Sequence, residues 1–310
     1  MSRARWVLRT LAALGATGAC LLFAAPAGAL VTEVAGTKAG VTPRNGSSME
    51  IDLLSVNENG EGLFNPAPET FRNVLGHPVV HGAQVFVIYW DPKDLYHGDW
   101  QGIIDTFMHN ANAVTGSFGS VFTVDSQYTD ASNKLASAGL TYRGSYIDDT
   151  KYPSSGCEDP RPLYEEEVSK IKPVTCLTDA QVRTELQNFI ALHSLPKGIN
   201  NIFYLLTPPA VTVCLDGGGE AGGHCSDYAS SLEEQRFEIY ESESYKNSFC
   251  SYHADINPGG LETGDANTIL YGVVPWTAGG AADGQLSAAD QSEAFACQDG
   301  GFDPSPPHPG

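Results

Sequence analysis

Large apolar side chains arrive along this chain in short uncharged runs, set apart by polar breaks rich in proline and glycine. The densest run is Asn201–Pro209, Asn-Ile-Phe-Tyr-Leu-Leu-Thr-Pro-Pro. A run this short and apolar suits a strand buried on both faces. Pro208 and Pro209 end it, because proline cannot donate to a sheet ladder. Ala83–Trp90 is a second strand, rich in Val, Phe, Ile, Tyr and Trp and closed by Asp91-Pro92. Phe249–His253 and Thr268–Pro275 read as two more, and Val121–Val124 as a short one. Leu140, Tyr142, Gly144 and Tyr146 alternate with polar residues, the pattern of a half-exposed strand.

Between these runs the period changes to that of a helix. Asp99 is placed to cap a helix over Trp100–Val114, with Ile103, Ile104, Phe107, Ala111 and Val114 on one face and Gly116 as the stop. Thr178-Asp179-Ala180-Gln181 is a capping box. The helix it opens carries Val182, Leu186, Phe189 and Ile190 at helical spacing, and Pro196 with Gly198 closes it. Strands alternating with helices predict an α/β fold, a single mixed-sheet domain with flanking helices. The order helix, central strand, loop places any ligand at the carboxyl end of that strand.

The domain is expected over 77–300. Before it, 30–76 is polar and reads as an irregular N-terminal arm, with Ile51–Val56 as a short strand and a glycosylation sequon at Asn45-Gly46-Ser47. A long acidic loop excursion occupies 214–247. Ser287–Ala296 predicts a short helix, and 301–310 is a proline-rich tail.

The first residues add a compartment. Arg3, Arg5 and Arg9 precede an apolar run from Leu11 to Ala25 and a small-x-small site, Ala27-Gly28-Ala29. That is the order of a secretory signal peptide over 1–29, cleaved after Ala29. The run is broken by Gly15, Thr17 and Gly18, so it falls short of a membrane span. Beyond Ala29 there are 14 Lys and Arg against 37 Asp and Glu, a net charge of −23. Such acidity argues against nucleic acid and anionic membranes as partners, whose phosphates need Lys and Arg.

Six cysteines follow the signal: Cys157, Cys176, Cys214, Cys225, Cys250 and Cys297. An even number in an exported chain predicts three disulfides. Cys157 and Cys176 enclose 18 residues just before the capped helix; a bridge there contributes roughly 3 kcal/mol on a chain-entropy model. Cys214–Cys225 and Cys250–Cys297 are the further pairings expected.

Candidate chemistry is sparse. None of the eight histidines is followed by Glu, and no Gly-x-Ser-x-Gly elbow, P-loop or Gly-x-Gly-x-x-Gly occurs. The best cluster is His224, Asp227, His253 and Asp255, residue types suited to Zn²⁺, with His253 and Asp255 on one face of a strand. Asp91, Asp94 and Asp99 share a loop and offer carboxylates to Ca²⁺, although turns and capping also explain them. Trp90, Trp100 and Trp276 suggest a carbohydrate-binding face, or core and rim packing.

From Val79 to about Cys297 the order of motifs resembles the secreted phosphate-induced, or Exordium-like, family, above all its bacterial zincin-like branch. The matching stretches are His81–Trp90, Val124–Tyr128, Cys176–Gln181, Phe203–Pro208 and Phe249–His253. The resemblance implies a secreted α/β domain of zincin-like layout. It also implies a later metallopeptidase helix with a His-Glu-x-x-Glu pattern, which this chain lacks, so no family ligand maps onto a numbered residue. The expected role is therefore that of an exported extracellular or cell-surface protein that binds an extracellular or cell-wall ligand. The alternatives are a peptidase-like, metal-dependent hydrolase whose active-site helix lies beyond Gly310, and a glycan-binding module.

Overall fold

The computed structural model describes residues 30–34, 37–43, 78–96, 99–117, 119–158, 175–208, 211–218, 224–226, 249–257 and 266–276. Its centre is a seven-stranded mixed sheet. The strands are β1 (Leu30–Val34), β2 (Thr37–Pro43), β3 (Ala83–Trp90), β4 (Leu140–Asp148), β6 (Asn201–Leu206), β8 (Phe249–Ile256) and β9 (Ile269–Val274). The spatial order is β1-β2-β8-β9-β6-β3-β4. The block β4-β3-β6-β9 is parallel, and β8, β2 and β1 extend it antiparallel. A second, two-stranded parallel sheet pairs β5 (Thr175–Thr178) with β7 (Val211–Cys214).

Helix α1 (Trp100–Ala113) leads from β3 to β4, and helix α2 (Asp179–Leu192) leads from β5 to β6. The two pack on opposite faces of the sheet. Val182, Leu186, Phe189 and Ile190 of α2 share a core with Phe86, Ile88, Trp90, Phe203 and Leu205. Ile104, Met108 and Ala111 of α1 meet Val85, Val87, Tyr89 and Leu206 on the other side. A helix on each face of parallel strands is the doubly wound arrangement. From β3 the chain crosses to β4 on one side; after β4 it returns to β6 on the other. The strand order therefore reverses between β3 and β6.

The capping box forms as expected: Thr178 Oγ1 accepts from Gln181 N at 3.2 Å, and Gln181 Oε1 accepts from Thr178 N at 2.9 Å. Strand β3 has the predicted bounds, and β6 ends at the predicted prolines.

Four expectations are corrected. The segment after Ala29 is not irregular throughout, because Leu30–Pro43 forms a hairpin that adds two strands to β8, with Ala39 and Val41 in the core. Its Gly- and Thr-bearing pattern hid the strands, since one of them gains its stability from pairing with β8. Val121–Gln127 is a 3-10 helix rather than a strand, opened by Ser120, whose hydroxyl accepts from Phe122 N. The buried stripe of α1 runs through Ile104, Met108 and Ala111, while Phe107 and Val114 are exposed. Asp99 flanks that helix without a side-chain cap. In β4 the expected alternation holds, with Leu140, Tyr142, Gly144 and Tyr146 less exposed than the residues between them, and a bulge around Gly144 (φ 112°) shifts the register with β3. The bulge turns Tyr142 and Ser145 toward α1 and Tyr146 toward α2. The signal peptide, the sequon, Ile51–Val56, Ser287–Ala296 and the proline-rich tail lie outside the described residues, as does most of the 214–247 excursion.

Candidate functional site

The carboxyl ends of β4, β3 and β6 bring Asp148, Trp90 and Thr207 into one row. Trp90 pairs with Asp148, and Tyr89 with Leu206, one residue before Thr207. All three row residues are buried. Trp90 fills the middle, its indole N–H donating to Thr150 O at 2.8 Å. Thr207 Oγ1 has no hydrogen-bond partner, and Asp148 Oδ2 has no donor.

The neighbour of Asp148 is another carboxyl group. Glu185 lies in the second turn of α2, and the hydroxyl of Thr150 lies against both. Asp148 Oδ1 accepts from Thr150 N at 2.9 Å. Burial pushes the Asp148 carboxyl above its usual range, and the charge of Asp149 adds to this. Burial likewise raises Glu185, with Asp148 as the next cause. While both are ionised, neither can donate, so Asp148 Oδ2 stays without a partner. A proton held on Glu185 and donated to Asp148 removes both the repulsion and the orphan acceptor. The two carboxyl groups are coupled and titrate as a unit.

From Asp148 the edge continues toward the α1 face. Tyr152 donates to Trp90 O at 2.6 Å, and its phenol is raised by burial first and then by Asp91 and Asp148. Asp91 is buried, and its carboxylate accepts from Leu95 N and Tyr96 N at 2.8–3.0 Å, which closes the turn after β3. That turn carries Tyr96 to Trp276 beyond β9, with ring centroids 6.0 Å apart and edge to face. Trp100, at the start of α1, meets Trp276 edge to face at 4.7 Å. Carboxyl pair, tyrosines and tryptophans therefore lie along the edge where the strand order reverses.

The sequence-predicted residues fall as follows. His224 and His253 are not brought together. His224 Nδ1 pairs with Asp216 Oδ2 at 2.9 Å inside the Cys214–Cys225 loop. Burial works against ionisation of Asp216, but hydrogen bonds from the His224 ring and from Gly218 and His224 N–H hold it below the usual carboxylate range. The ring of His253 lies over Gly40 of β2, its cross-strand partner. Asp255 is raised by burial, and the nearby Arg183 works against this. Asp227 lies outside the described residues. The carboxylate of Asp91 closes the turn after β3, and Asp99 stands at the start of α1 without a side-chain cap. Among the described residues, the one group with metal-ligand spacing is Cys157, Cys176 and Cys214. All three are in disulfides, which leaves no thiolate to bind an ion.

Cys157–Cys176 and Cys214–Cys225 are the expected pairs. Cys250 is also disulfide-bonded; its expected partner Cys297 lies outside the described residues. Disulfides of this kind belong to an oxidising compartment. No helix among the described residues is long and apolar enough to cross a membrane. Of the three tryptophans, Trp90 is core, while Trp100 and Trp276 reach the edge. Sequence reasoning missed the Asp148–Glu185 pair: 37 residues separate the two, and only the crossover of α2 brings them together. The charged position of Glu185, between buried Val182 and Leu186, was the available signal. Compared with models of known families, with characterised proteins and with solved structures, the chain matches none.

Proposed function

We propose that the protein is an exported, disulfide-braced binding protein whose ligand site is the carboxyl edge of the parallel strands. The observation that carries this reading is the coincidence of three features at one edge. They are the reversal of strand order between β3 and β6, the pair of buried Asp148 and half-buried Glu185, and the Tyr96–Trp100–Trp276 aromatic cluster. Open α/β sheets bind ligands at this place. A net charge of −20 disfavours anionic ligands. Aromatic rings and carboxyl groups together suit a neutral, hydroxyl-rich ligand of the glycan class: rings cover apolar sugar faces, and carboxyl groups accept from hydroxyls. The sequence resemblance to a secreted family points to the same compartment.

The test is a glycan array with the purified secreted protein, repeated with Trp276→Ala and Glu185→Gln. The reading expects binding to a neutral glycan, weakened about tenfold or more by loss of the indole. Absence of binding, or binding indifferent to both substitutions, contradicts it.

A second reading, hydrolysis, is favoured by the carboxyl pair itself, since a protonated carboxyl beside an ionised one can serve as acid and base. It expects release of reducing ends from the bound glycan, abolished in Asp148→Asn. The metal-dependent alternative would need ligands from outside the described residues; its mark is chelator-sensitive peptide cleavage.

A further inference from the structure

Two disulfides meet sulfur to sulfur at the small parallel sheet. Cys176 lies in β5 and Cys214 ends β7. Their Sγ atoms, which belong to different disulfides, are 3.8 Å apart. The sulfurs of Cys157, Cys176 and Cys214 all lie within 4.8 Å of one another. Exposure divides the two bonds sharply. Cys157 and Cys176 are half-buried, whereas Cys214 and Cys225 are both 0 % exposed. An external thiol can reach the first bond and not the second, and exchange depends on access.

We propose that these four cysteines form an intramolecular thiol–disulfide relay, through which a soluble dithiol opens the buried Cys214–Cys225 bond by way of the accessible Cys157–Cys176 bond. In the first step a thiolate of the dithiol attacks Cys157 Sγ. A mixed disulfide forms and Cys176 leaves as a thiolate. The second thiol of the reductant then attacks the mixed disulfide. The reductant departs as its own cyclic disulfide, and Cys157 takes a proton. Two electrons have entered the protein. In the second step the Cys176 thiolate attacks Cys214 Sγ across the 3.8 Å gap. The Cys176–Cys214 bond forms, the Cys214–Cys225 bond breaks, and Cys225 leaves as a thiolate that is protonated. This step changes no oxidation state. A disulfide bond is about 2.0 Å long, so side-chain rotation must close roughly 1.8 Å.

The product cross-links β5 to β7, two strands that already pair from Thr175–Val211 to Thr178–Cys214. It frees the Cys225 end of the loop, where Cys225 O accepts from Phe249 N at the start of β8 and Ser226 N donates to Val213 O. The relay therefore shifts the clamp from the loop to the small sheet without severing the sheet.

The test is titration of the native protein with limiting dithiothreitol, acid quenching, alkylation and peptide mapping. The expected intermediate carries a Cys176–Cys214 disulfide with alkyl groups on Cys157 and Cys225. Alkylation confined to Cys157 and Cys176, with Cys214–Cys225 intact, overturns the proposal. In a Cys157→Ser, Cys176→Ser double variant, opening of Cys214–Cys225 should slow by about tenfold or more, because access controls the rate. Opening at the native rate would also overturn it. The titration needs no variant, so it decides the question even if the double variant fails to fold.

Discussion

Helices α1 and α2 each present a carboxyl group to the sheet, and the two groups meet opposite company. On one face Asp105 of α1 receives three hydroxyl groups: Tyr89 at 3.1 Å, Tyr142 at 2.8 Å and Ser145 at 2.7 Å. On the other face Glu185 of α2 meets Asp148. A third carboxylate, Asp179 at the start of α2, follows the first pattern and accepts from Tyr252 and Tyr271 at 2.8 and 2.7 Å. Donors around a carboxylate offset its desolvation, and the result is a structural tie. A second carboxylate in the same position offsets nothing unless a proton is held between the two. The fold thus satisfies the carboxylates of Asp105 and Asp179, and leaves Asp148 Oδ2 without a donor at the edge where the strand order reverses.

The helices differ in what carries them as well. Leu186 of α2 is fully buried, whereas Phe107 of α1 is 59 % exposed. Leu186→Ala should cost about 2–5 kcal/mol of stability, while Phe107→Ala should stay within about 0.5 kcal/mol. Chemical denaturation of the two variants measures the contrast directly, and equal losses would break it. Asp105→Ala should cost about 1–3 kcal/mol, because it leaves the hydroxyl of the buried Tyr89 with only a long contact to Gln101 O at 3.3 Å. A loss near zero in the same assay would show that the hydroxyls find water instead. A smaller effect than that of Asp105→Ala is expected at the cap of α2. Thr178→Ala removes the acceptor for Gln181 N and should cost about 0.5–2 kcal/mol.

The parts legible in the sequence were those whose signal is local. The capping box, the stripe Val182–Leu186–Phe189–Ile190 and the run Asn201–Leu206 each carry their own pattern within a dozen residues. Hairpin β1–β2 was not legible, because pairing with β8 holds residues whose propensities are unremarkable. The inward stripe of α1 was misplaced by one position on the helix, because Asp105 faces the sheet and Phe107 does not. Periodicity counts an aspartate as outward-facing and cannot see its hydroxyl donors on β3 and β4. The partner of His224 in the expected metal cluster was hidden for a related reason. His224 had a nearer partner, Asp216, inside its own disulfide loop, and sequence spacing does not rank partners by distance. Chemistry at the edge was legible only as a place, the carboxyl end of the central strand, and not as residues.

The coupled carboxyl groups of Asp148 and Glu185 also set a pH dependence. Both carboxyl groups are raised in the folded protein relative to an ordinary carboxylate. A raised folded-state value means that the stabilisation is complete below the ordinary range, near about 4, and is lost as pH climbs through the raised value. Glu185→Gln supplies a permanent amide donor to Asp148 and should remove this contribution to the slope. The most direct measurement is infrared spectroscopy of the carboxyl groups across a pH titration of the native protein and Glu185→Gln. The account predicts a protonated carboxyl band that persists above the ordinary carboxylate range in the native protein and loses intensity in the variant. A band that vanishes with the exposed carboxylates, or one of unchanged intensity in Glu185→Gln, would contradict it.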